Sequence, residues 1–348
     1  MFLFRGASAA LLSAILFGIS TPLSKTFLDS MSPWLMAGLL YSGSGIGLAL
    51  QRRIRNAPKA RLSTSEKRWF SLAILTGGCI APVLLLYGLA EMPASGAALL
   101  LNAESVMTAG IAWFVFKENV DRRIAIGLVF IIFGAIVLSW ESNMQMGALW
   151  PSLAVLGACL CWAIDNNLTR KVSHQDATWI ASTKGLVAGA VNIGLAILLG
   201  SKWPSVTDTV STLILGLFAY GASLTLFVIA LRDLGTARTG AYFSTAPFIG
   251  ACLAVVMGEP ITSPLIIAAS LMGLGVLLHL TERHEHWHNH EPMAHTHYHE
   301  HDEHHQHEHE APVASGTGHT HWHVHAPLRH RHPHYPDIHH QHQHESGH

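Results

Sequence analysis

The sequence predicts an all-α membrane protein with ten transmembrane helices, arranged as two inverted five-helix repeats and followed by a disordered tail. Half of the 348 residues are hydrophobic and only 12% are charged, whereas about a quarter of an ordinary soluble domain is charged. Ten apolar segments each approach the roughly 20 residues that a spanning helix needs. None of the ten alternates apolar and polar residues as an outer-membrane barrel strand does.

The ten segments follow one another along the chain with short polar loops between them. Tryptophans such as Trp34, Trp69 and Trp140 stand at several of the predicted ends, where an amphipathic ring suits the level of the lipid headgroups. The predicted spans are residues 7–25, 33–50, 70–90, 94–116, 123–140, 147–167, 178–199, 210–230, 239–257 and 262–281.

Basic residues in the loops predict the orientation. Placing Arg5 inside puts sixteen Lys and Arg residues on the cytoplasmic side and leaves only Lys25 and Lys202 outside. Seven of the sixteen lie in the loop 51–68. This distribution is the positive-inside bias of multi-pass membrane proteins, and it predicts that both termini are cytoplasmic.

The two halves of the membrane part share short motifs at equivalent places. The segment Phe17–Thr26 aligns with Trp162–Lys171, while Glu118 and Glu259 close the fourth and ninth spans. Because each half has five spans, an odd number, the second half enters the membrane from the opposite side. Such inverted repeats are associated with carriers that bind substrate near the midplane. The predicted divisions are a first repeat over 1–141, a second repeat over 142–281 and a tail over 282–348.

Together with the ten spans, these motifs resemble the EamA-type drug/metabolite transporters. The resemblance covers residues 7–281 and implies a secondary carrier of a bacterial-type inner membrane, with a central cavity lined by the early helices of each repeat. It implies no particular substrate, since similar proteins move amino acids, nucleotide precursors, amines and sugars. The residues that carry the resemblance are Phe17-Gly18 and Trp162-Ala163 in the first helix of each repeat, and Lys117-Glu118 and Gly258-Glu259 after the fourth.

Three charged side chains lie well inside the predicted spans, away from their ends: Glu104, Asp165 and Lys184. Asp165 and Lys184 lie at a similar depth, so we expect them to pair, although Lys184 has the alternative of extending to the interface. Glu104 lies near the midplane without a partner of matching depth. An acid there predicts a group that takes a proton or a cation during transport. The alternative is a packing role, in which Glu104 hydrogen-bonds Asn102 or a hydroxyl of another helix.

Polar residues flank these charges. Two amides follow Asp165. In the first span, Ser20 and Thr21 occupy the positions equivalent to Asp165 and Asn166, and Pro22 follows them, where the interrupted helix frees backbone carbonyls. In the fourth span Val106 stands where the ninth has Pro247, so we expect the proline break to be absent there. The predicted substrate-pathway residues are Glu104, Asn102, Asp165, Asn166, Asn167, Lys184, Ser20 and Thr21.

The last 67 residues hold 24 of the 26 histidines. They contain few aliphatic residues to bury and several prolines, so we expect disorder. Neutral imidazole is the commonest metal ligand, and Ni²⁺, Co²⁺, Zn²⁺ and Cu²⁺ suit it. The alternative is a solvated tail that binds metal incidentally or responds to pH. The candidate ligands are His284, His286, His288, His290, His295, His297, His299, His301, His304, His305, His307, His309, His319, His321, His323 and His325.

These observations predict an inner-membrane secondary transporter of a small solute, an organic metabolite, with proton coupling. Two alternatives stay open. One is a transporter of a divalent transition metal with a metal-buffering tail, and the other is a metal-responsive membrane sensor that transports nothing.

The sequence also limits the reactions and the binding partners that we expect for this protein. No HExxH or nucleophile motif lies in the spans, so we expect no enzymatic activity, and no cofactor is required beyond ions on the tail. The net charge of −1, with basic residues spread over the loops, predicts no nucleic-acid partner. The expected partners are the lipid bilayer and a small-molecule or ion substrate, and a homodimer stays open.

Overall fold

The computed structural model of the chain describes residues 2–57, 62–115, 122–140, 149–173, 175–280, 285–290, 293–299, 319–325 and 328–333. Two compact units are distinguished, a helical unit and a smaller one over Arg283–Tyr335. Each is described by itself below.

Fourteen helices are described in the helical unit. They occupy all ten predicted spans, and several spans are divided between two helices. In chain order they are α1 (Phe2–Gly18), α2 (Ser20–Lys25), α3 (Pro33–Ile54), α4 (Thr64–Ala73), α5 (Ala81–Glu91), α6 (Ala94–Leu100), α7 (Ala103–Phe114), α8 (Arg122–Trp140), α9 (Trp150–Arg170), α10 (Ala177–Leu198), α11 (Val206–Gly216), α12 (Ser223–Phe243), α13 (Ala246–Val256) and α14 (Ser263–Leu280).

Five helical stretches in the described part of the chain are long and apolar enough to cross a membrane. The fifth, ninth and tenth spans hold shorter apolar helices, the fourth is broken, and the sixth carries Asp165. The five stretches are Gly6–Lys25, Pro33–Ile54, Thr64–Glu91, Ala177–Leu198 and Val206–Leu234.

The fourth and ninth spans are both interrupted near their middle. In the ninth, the break at Ser244–Thr245 comes just before Pro247, which lacks a backbone N–H. The fourth breaks at Leu101–Asn102 although it contains no proline, which differs from our expectation. There the side-chain Nδ2 of Asn102 donates to the Leu99 carbonyl oxygen at 3.1 Å, so an amide satisfies a carbonyl at a helix end.

The eighth and ninth spans meet inside α12. This element runs through the loop predicted between them, yet the ring centroids of Phe227 and Phe243 lie only 4.9 Å apart. Sixteen residues of straight helix would separate them by about 24 Å, at about 1.5 Å per residue. The chain therefore reverses direction between these two residues, as the predicted division into spans requires.

A π-helical turn interrupts the third span of each half. Ile74–Ile80 joins α4 to α5, and Leu217–Ala222 joins α11 to α12. A π turn bonds each N–H to the carbonyl five residues earlier and recurs at functional sites. The second turn lines the cavity described below, and the first bonds two side chains of its wall.

Helices α3 and α10 pack closely against each other. A Cβ on Gly45 would lie 2.3 Å from the Leu186 nitrogen, and one on Gly185 would lie 2.4 Å from the Gly45 nitrogen. Small residues permit such backbone contact between membrane helices. On the same helix, Leu35, Met36 and Leu40 are fully buried, so α3 lies at the centre of the unit.

Four short strands are described in the His-rich unit: β1 (Glu285–His290), β2 (Met293–His299), β3 (His319–His325) and β4 (Leu328–Pro333). Strand β1 pairs antiparallel with β4, and β2 pairs antiparallel with β3. Histidine recurs at every second position in these four segments, which matches the two-residue period of a strand, and their backbone pairing needs no aliphatic core.

Candidate functional site

A cavity lined by both halves of the helical unit is the candidate site. Its empty space is about 510 Å³ when the open mouth and the solvent there are counted. Helices α1, α3 and α7 contribute from the first half, and α9, α10, α12 and the second π turn contribute from the second. The aromatic residues of its wall are Phe17, Tyr41, Trp162, Tyr220, Phe227 and Phe243.

The aromatic rings of this wall contact one another around Phe17. The Phe17 ring centroid lies 5.8 Å from that of Trp162, 5.9 Å from that of Tyr220 and 5.3 Å from that of Phe243. Tyr41 continues the wall, 5.2 Å from Tyr220. Rings in edge-to-face and tilted contact stabilise each other, so the wall is a packed surface.

Asp165 and Lys184 form a buried ion pair on this wall, as their similar depth predicts. Lys184 Nζ donates to Asp165 Oδ1 at 2.5 Å and to Oδ2 at 2.6 Å. Thr169 Oγ1 donates to Asp165 Oδ1 at 2.8 Å and lies 3.2 Å from the same Nζ. Only 2% of Lys184 and 5% of Asp165 are exposed. The pair is therefore neutral as a unit and closed off by its own hydrogen bonds.

The first π turn supports the pair and the wall. The Gly77 carbonyl oxygen accepts from the Tyr41 hydroxyl at 2.7 Å and from the Trp162 Nε1 at 3.0 Å. A Cβ added at Gly77 would lie 1.9 Å from Asp165 Oδ2. The absence of a side chain at this position gives the carboxylate its place, while the carbonyl orients the two aromatic side chains.

Glu104 lines the same cavity from the first turn of α7. Its Oε1 accepts a hydrogen bond from Asn166 Nδ2 at 2.7 Å. Glu104, Phe17 and Phe243 also line a smaller neighbouring cavity of about 230 Å³. The break after Leu101 thus begins α7 where its first turn carries a carboxylate to the junction of two cavities.

Four of the predicted pathway residues do not line either cavity. Ser20 donates to the Phe17 carbonyl oxygen at 2.6 Å, and Thr21 beside it is buried. Asn102 bonds the end of α6, as described above. Asn167 Nδ2 donates to the Thr108 carbonyl oxygen at 3.2 Å and to that of its own helix. The structure therefore brings together Glu104, Asp165, Asn166 and Lys184 and gives the other four packing and capping contacts.

Most of the aromatic wall was not predicted from the sequence. Phe17 and Trp162 appear in the repeat motif, but Tyr41, Tyr220 and Phe243 were not singled out. The available signal was a tyrosine inside an apolar span, since a buried phenolic hydroxyl needs a hydrogen-bond partner.

The sequence also missed a cluster around the turn between α5 and α6. Lys25 Nζ donates to the carbonyl oxygens of Leu89, at 2.9 Å, and Met92, at 2.5 Å. The two Glu259 carboxylate oxygens accept from the backbone nitrogens of Ala94, at 2.7 Å, and Ser95, at 2.9 Å. We call these two side chains and the turn the Lys25–Glu259 clasp. It joins three helix ends without a direct hydrogen bond between its two charges.

The charge of Glu259 is stabilised by this arrangement. Burial alone would raise the pKa of its carboxyl group, but hydrogen bonds from Ser95 and Ala94 and the nearby Lys25 charge outweigh burial. The net result is a pKa below the ordinary value for a glutamate. Glu259 therefore caps α6 as a carboxylate at neutral pH.

The histidines predicted as metal ligands fall in two groups. Six lie outside the described residues: His284, His301, His304, His305, His307 and His309. The other ten lie on three of the strands: His286, His288 and His290 on β1, His295, His297 and His299 on β2, and His319, His321, His323 and His325 on β3. Metal binding by these residues stays a prediction.

The chain is similar to several known membrane transporters and to a solved structure. A protein named "Uncharacterized transporter" from Methanothermobacter thermautotrophicus is 28% identical over 78% of this chain and 85% of its own. A "Probable amino-acid metabolite efflux pump" of Salmonella typhimurium is 27% identical over 78% of this chain and 93% of its own. One crystal structure superposes with a TM-score of 0.62 at 18% identity, over 78% of this chain and 95% of that protein, which supports the fold alone.

The family comparison covers both halves of the helical unit. The EamA-like transporter family matches residues 4–140 and again residues 149–281. This confirms the family resemblance stated from the repeat motifs, and it agrees with an all-α membrane protein. The chain belongs to the EamA-like transporter family.

Proposed function

We propose that this protein is a secondary carrier that binds a small amphipathic organic solute in the cavity and moves it by alternating access. The observation that carries the proposal is the aromatic cavity, walled by both halves and holding Glu104, Asp165 and Lys184. Apolar walls with a few convergent polar groups are typical of sites for organic ligands. A relative named as a probable amino-acid metabolite efflux pump supports an organic cargo.

The finer parts of the proposal are the topology and the coupling. The excess of basic residues in alternate loops supports two inverted repeats with both termini in the cytoplasm. Glu104 is the candidate coupling group, because it lines the cavity and lacks the lysine partner that Asp165 has. A carboxyl group in such a place exchanges a proton as the cavity opens to either side.

The test is transport by the full chain in proteoliposomes. We expect exchange of at least one member of a radiolabelled panel of amino acids and their amines, accelerated by an imposed pH gradient. Glu104→Gln should abolish the acceleration, whereas the matched change Glu91→Gln, at an exposed helix end, should preserve it. No exchange of any panel member would contradict the carrier proposal, and an unchanged pH response of Glu104→Gln would contradict its coupling role.

A second candidate function is metal binding by the tail, and the strand register favours it. Residues directly opposite one another lie on the same face of an antiparallel pair. The register places His295 opposite His323, His297 opposite His321 and His299 opposite His319. Rows of paired histidine positions suit the divalent transition metals that imidazole prefers.

Equilibrium dialysis against Ni²⁺, Co²⁺, Zn²⁺ and Cu²⁺ tests this function. The full chain should bind several ions per molecule, and a chain ending at Glu282 should bind few. Equal binding by both would contradict a metal role for the tail. The cellular content of the same metals, with and without the protein, decides whether a metal is also cargo.

A further inference from the structure

We propose that the cargo is an organic cation, an amine whose ammonium group binds Glu104 and whose apolar body packs on the aromatic wall. This inference rests on the proposed carrier function and names the substrate class of the same cavity. It follows from the balance of charge, the hydrogen-bond capacity of each charged group and the chemistry of the walls.

Among the charged residues that line the cavity, Glu104 is the one that no opposite charge neutralises in the described contacts. Three charged residues line the cavity, and two of them, Asp165 and Lys184, neutralise each other at 2.5 Å. Among the described contacts, Glu104 bonds to an uncharged amide. A ligand entering the cavity therefore meets one carboxyl group without a cation beside it, which favours a ligand that brings its own positive charge.

The hydrogen-bond capacity of Lys184 disfavours an anionic or zwitterionic ligand. A lysine ammonium has three donors. Lys184 directs them at the two Asp165 oxygens and at Thr169 Oγ1. A substrate carboxylate would have to displace one of these partners inside a buried site. Breaking a buried ion pair is costly, so Lys184 is poorly placed to bind a carboxylate.

Glu104, in contrast to Lys184, has room to accept further hydrogen bonds. Its carboxylate can accept about four hydrogen bonds, and the described contacts supply one, from Asn166 Nδ2 to Oε1 at 2.7 Å. An ammonium group supplies up to three donors. The carboxylate and the ligand thus complement each other in charge and in number of hydrogen bonds.

The aromatic wall suits the same ligand. Phe17 and Phe243 line both cavities together with Glu104, and their ring centroids are 5.3 Å apart. Aromatic faces attract cations and also bury apolar groups. The walls and the carboxyl group therefore select an amphipathic amine over a strongly hydrated inorganic cation.

The experiment compares three probes that share one aromatic ring. 2-Phenylethylamine is a cation, phenylalanine a zwitterion and 3-phenylpropanoate an anion near neutral pH. Binding to the purified full chain is measured by isothermal titration calorimetry. We expect the amine to bind about tenfold or more tightly than either carboxylate-bearing probe, since a hydrogen bond to a charged group is involved.

Three variants locate the effect. Glu104→Gln keeps the shape and an acceptor for Asn166 and should weaken amine binding about tenfold or more. Phe17→Leu keeps an apolar wall without a ring face and should weaken amine binding about 2- to 30-fold. Glu91→Gln, the same chemical change at an exposed helix end that lines neither cavity, should leave it unchanged. Thermal unfolding of each variant in detergent checks that it is folded.

Each outcome has a definite meaning. Tighter binding of phenylalanine or 3-phenylpropanoate than of the amine would overturn the inference, and so would an amine affinity that Glu104→Gln leaves unchanged. Either result is compatible with exchange of other panel members in proteoliposomes, so the carrier function would survive. Absence of binding by 2-phenylethylamine would also overturn the inference, whereas absence of all exchange would overturn the carrier proposal itself.

Discussion

The helical unit contains two sets of one acid and one lysine that are bonded in opposite ways. In the cavity, Asp165 and Lys184 bond to each other. In the Lys25–Glu259 clasp, the lysine bonds two carbonyl oxygens and the acid bonds two backbone nitrogens. The same pair of side-chain types thus makes an internal ion pair in one place and joins helix ends in the other.

Burial explains the difference. Two charges enclosed among helices must compensate each other, because the cost of removing an ion from water is several kcal/mol. The clasp is partly open, so its charges keep some hydration and are free to satisfy the backbone groups that helix ends leave unpaired. The lesson is that an intramembrane ion pair and a helix-end clasp are distinguished by depth and by nearby helix termini, not by residue type.

The largest expected effect comes from breaking the buried pair on one side. Lys184→Met leaves the Asp165 carboxylate buried without its cation, which should lower the free energy of unfolding by about 3–5 kcal/mol. Thermal or denaturant unfolding in detergent micelles measures the loss. The double variant Asp165→Leu with Lys184→Met should recover most of it, because no charge stays buried. A single variant as stable as the parent would show that the pair is hydrated.

A smaller loss is expected from crowding the same pair. Gly77→Ala would put a Cβ 1.9 Å from Asp165 Oδ2, and overpacking of this kind costs about 1–3 kcal/mol. The matched control is Gly194→Ala, where an added Cβ meets nothing within 4 Å and a small gain in helix stability is expected. Equal stability of the two variants, measured as above, would mean that the π turn moves freely away from Asp165.

Removing the Glu259 charge from the clasp should have a weaker and more local effect on stability. Glu259→Gln removes the carboxylate cap of α6, which is worth about 1 kcal/mol, and hydrogen exchange at the Ala94 and Ser95 amides should quicken. Because the folded pKa of Glu259 is lowered, its contribution is complete above the ordinary carboxyl pKa of about 4.3. It is lost as the pH falls through the lower folded value. If exchange at these two amides did not change with pH, down to the pH at which Glu259 is fully protonated, the capping role would be contradicted.

The smallest expected effect is the interaction free energy between Lys25 and Glu259. Their charges act on different backbone groups, so a double-mutant cycle of Lys25→Met and Glu259→Gln should give an interaction energy below about 1 kcal/mol. The equivalent cycle for Asp165 and Lys184 should give a value several times larger. A reversal of this order would mean that the clasp is an ion pair and that its backbone contacts are secondary.

The sequence predicted those parts of the fold and site that depend on local pattern. Apolar segments of the right length located the ten spans, and equal depth from one side predicted the pairing of Asp165 with Lys184. Loop length and periodicity carry no information on which distant faces meet, so the aromatic contacts of Phe17 with Phe243 and Tyr220 were not predictable. The break at Asn102 was missed for a related reason. It contains no proline that the sequence displays, and it coincides with a side-chain hydrogen bond from Asn102 to the Leu99 carbonyl.

The two π turns have a mechanical consequence. A π turn accommodates one residue more than the α-helical pattern requires, so the helix on one side of it can shift its register by exchanging one set of backbone bonds for another. Such a shift rotates the neighbouring residues by about 100°, the angle per residue of a helix with 3.6 residues per turn, without unfolding the span. Because Ile74–Ile80 holds Gly77 against Asp165 and Leu217–Ala222 carries Tyr220, each half has a built-in pivot at the cavity wall. Deleting a single residue from either turn should lock that pivot and leave a stiffer bundle that still folds.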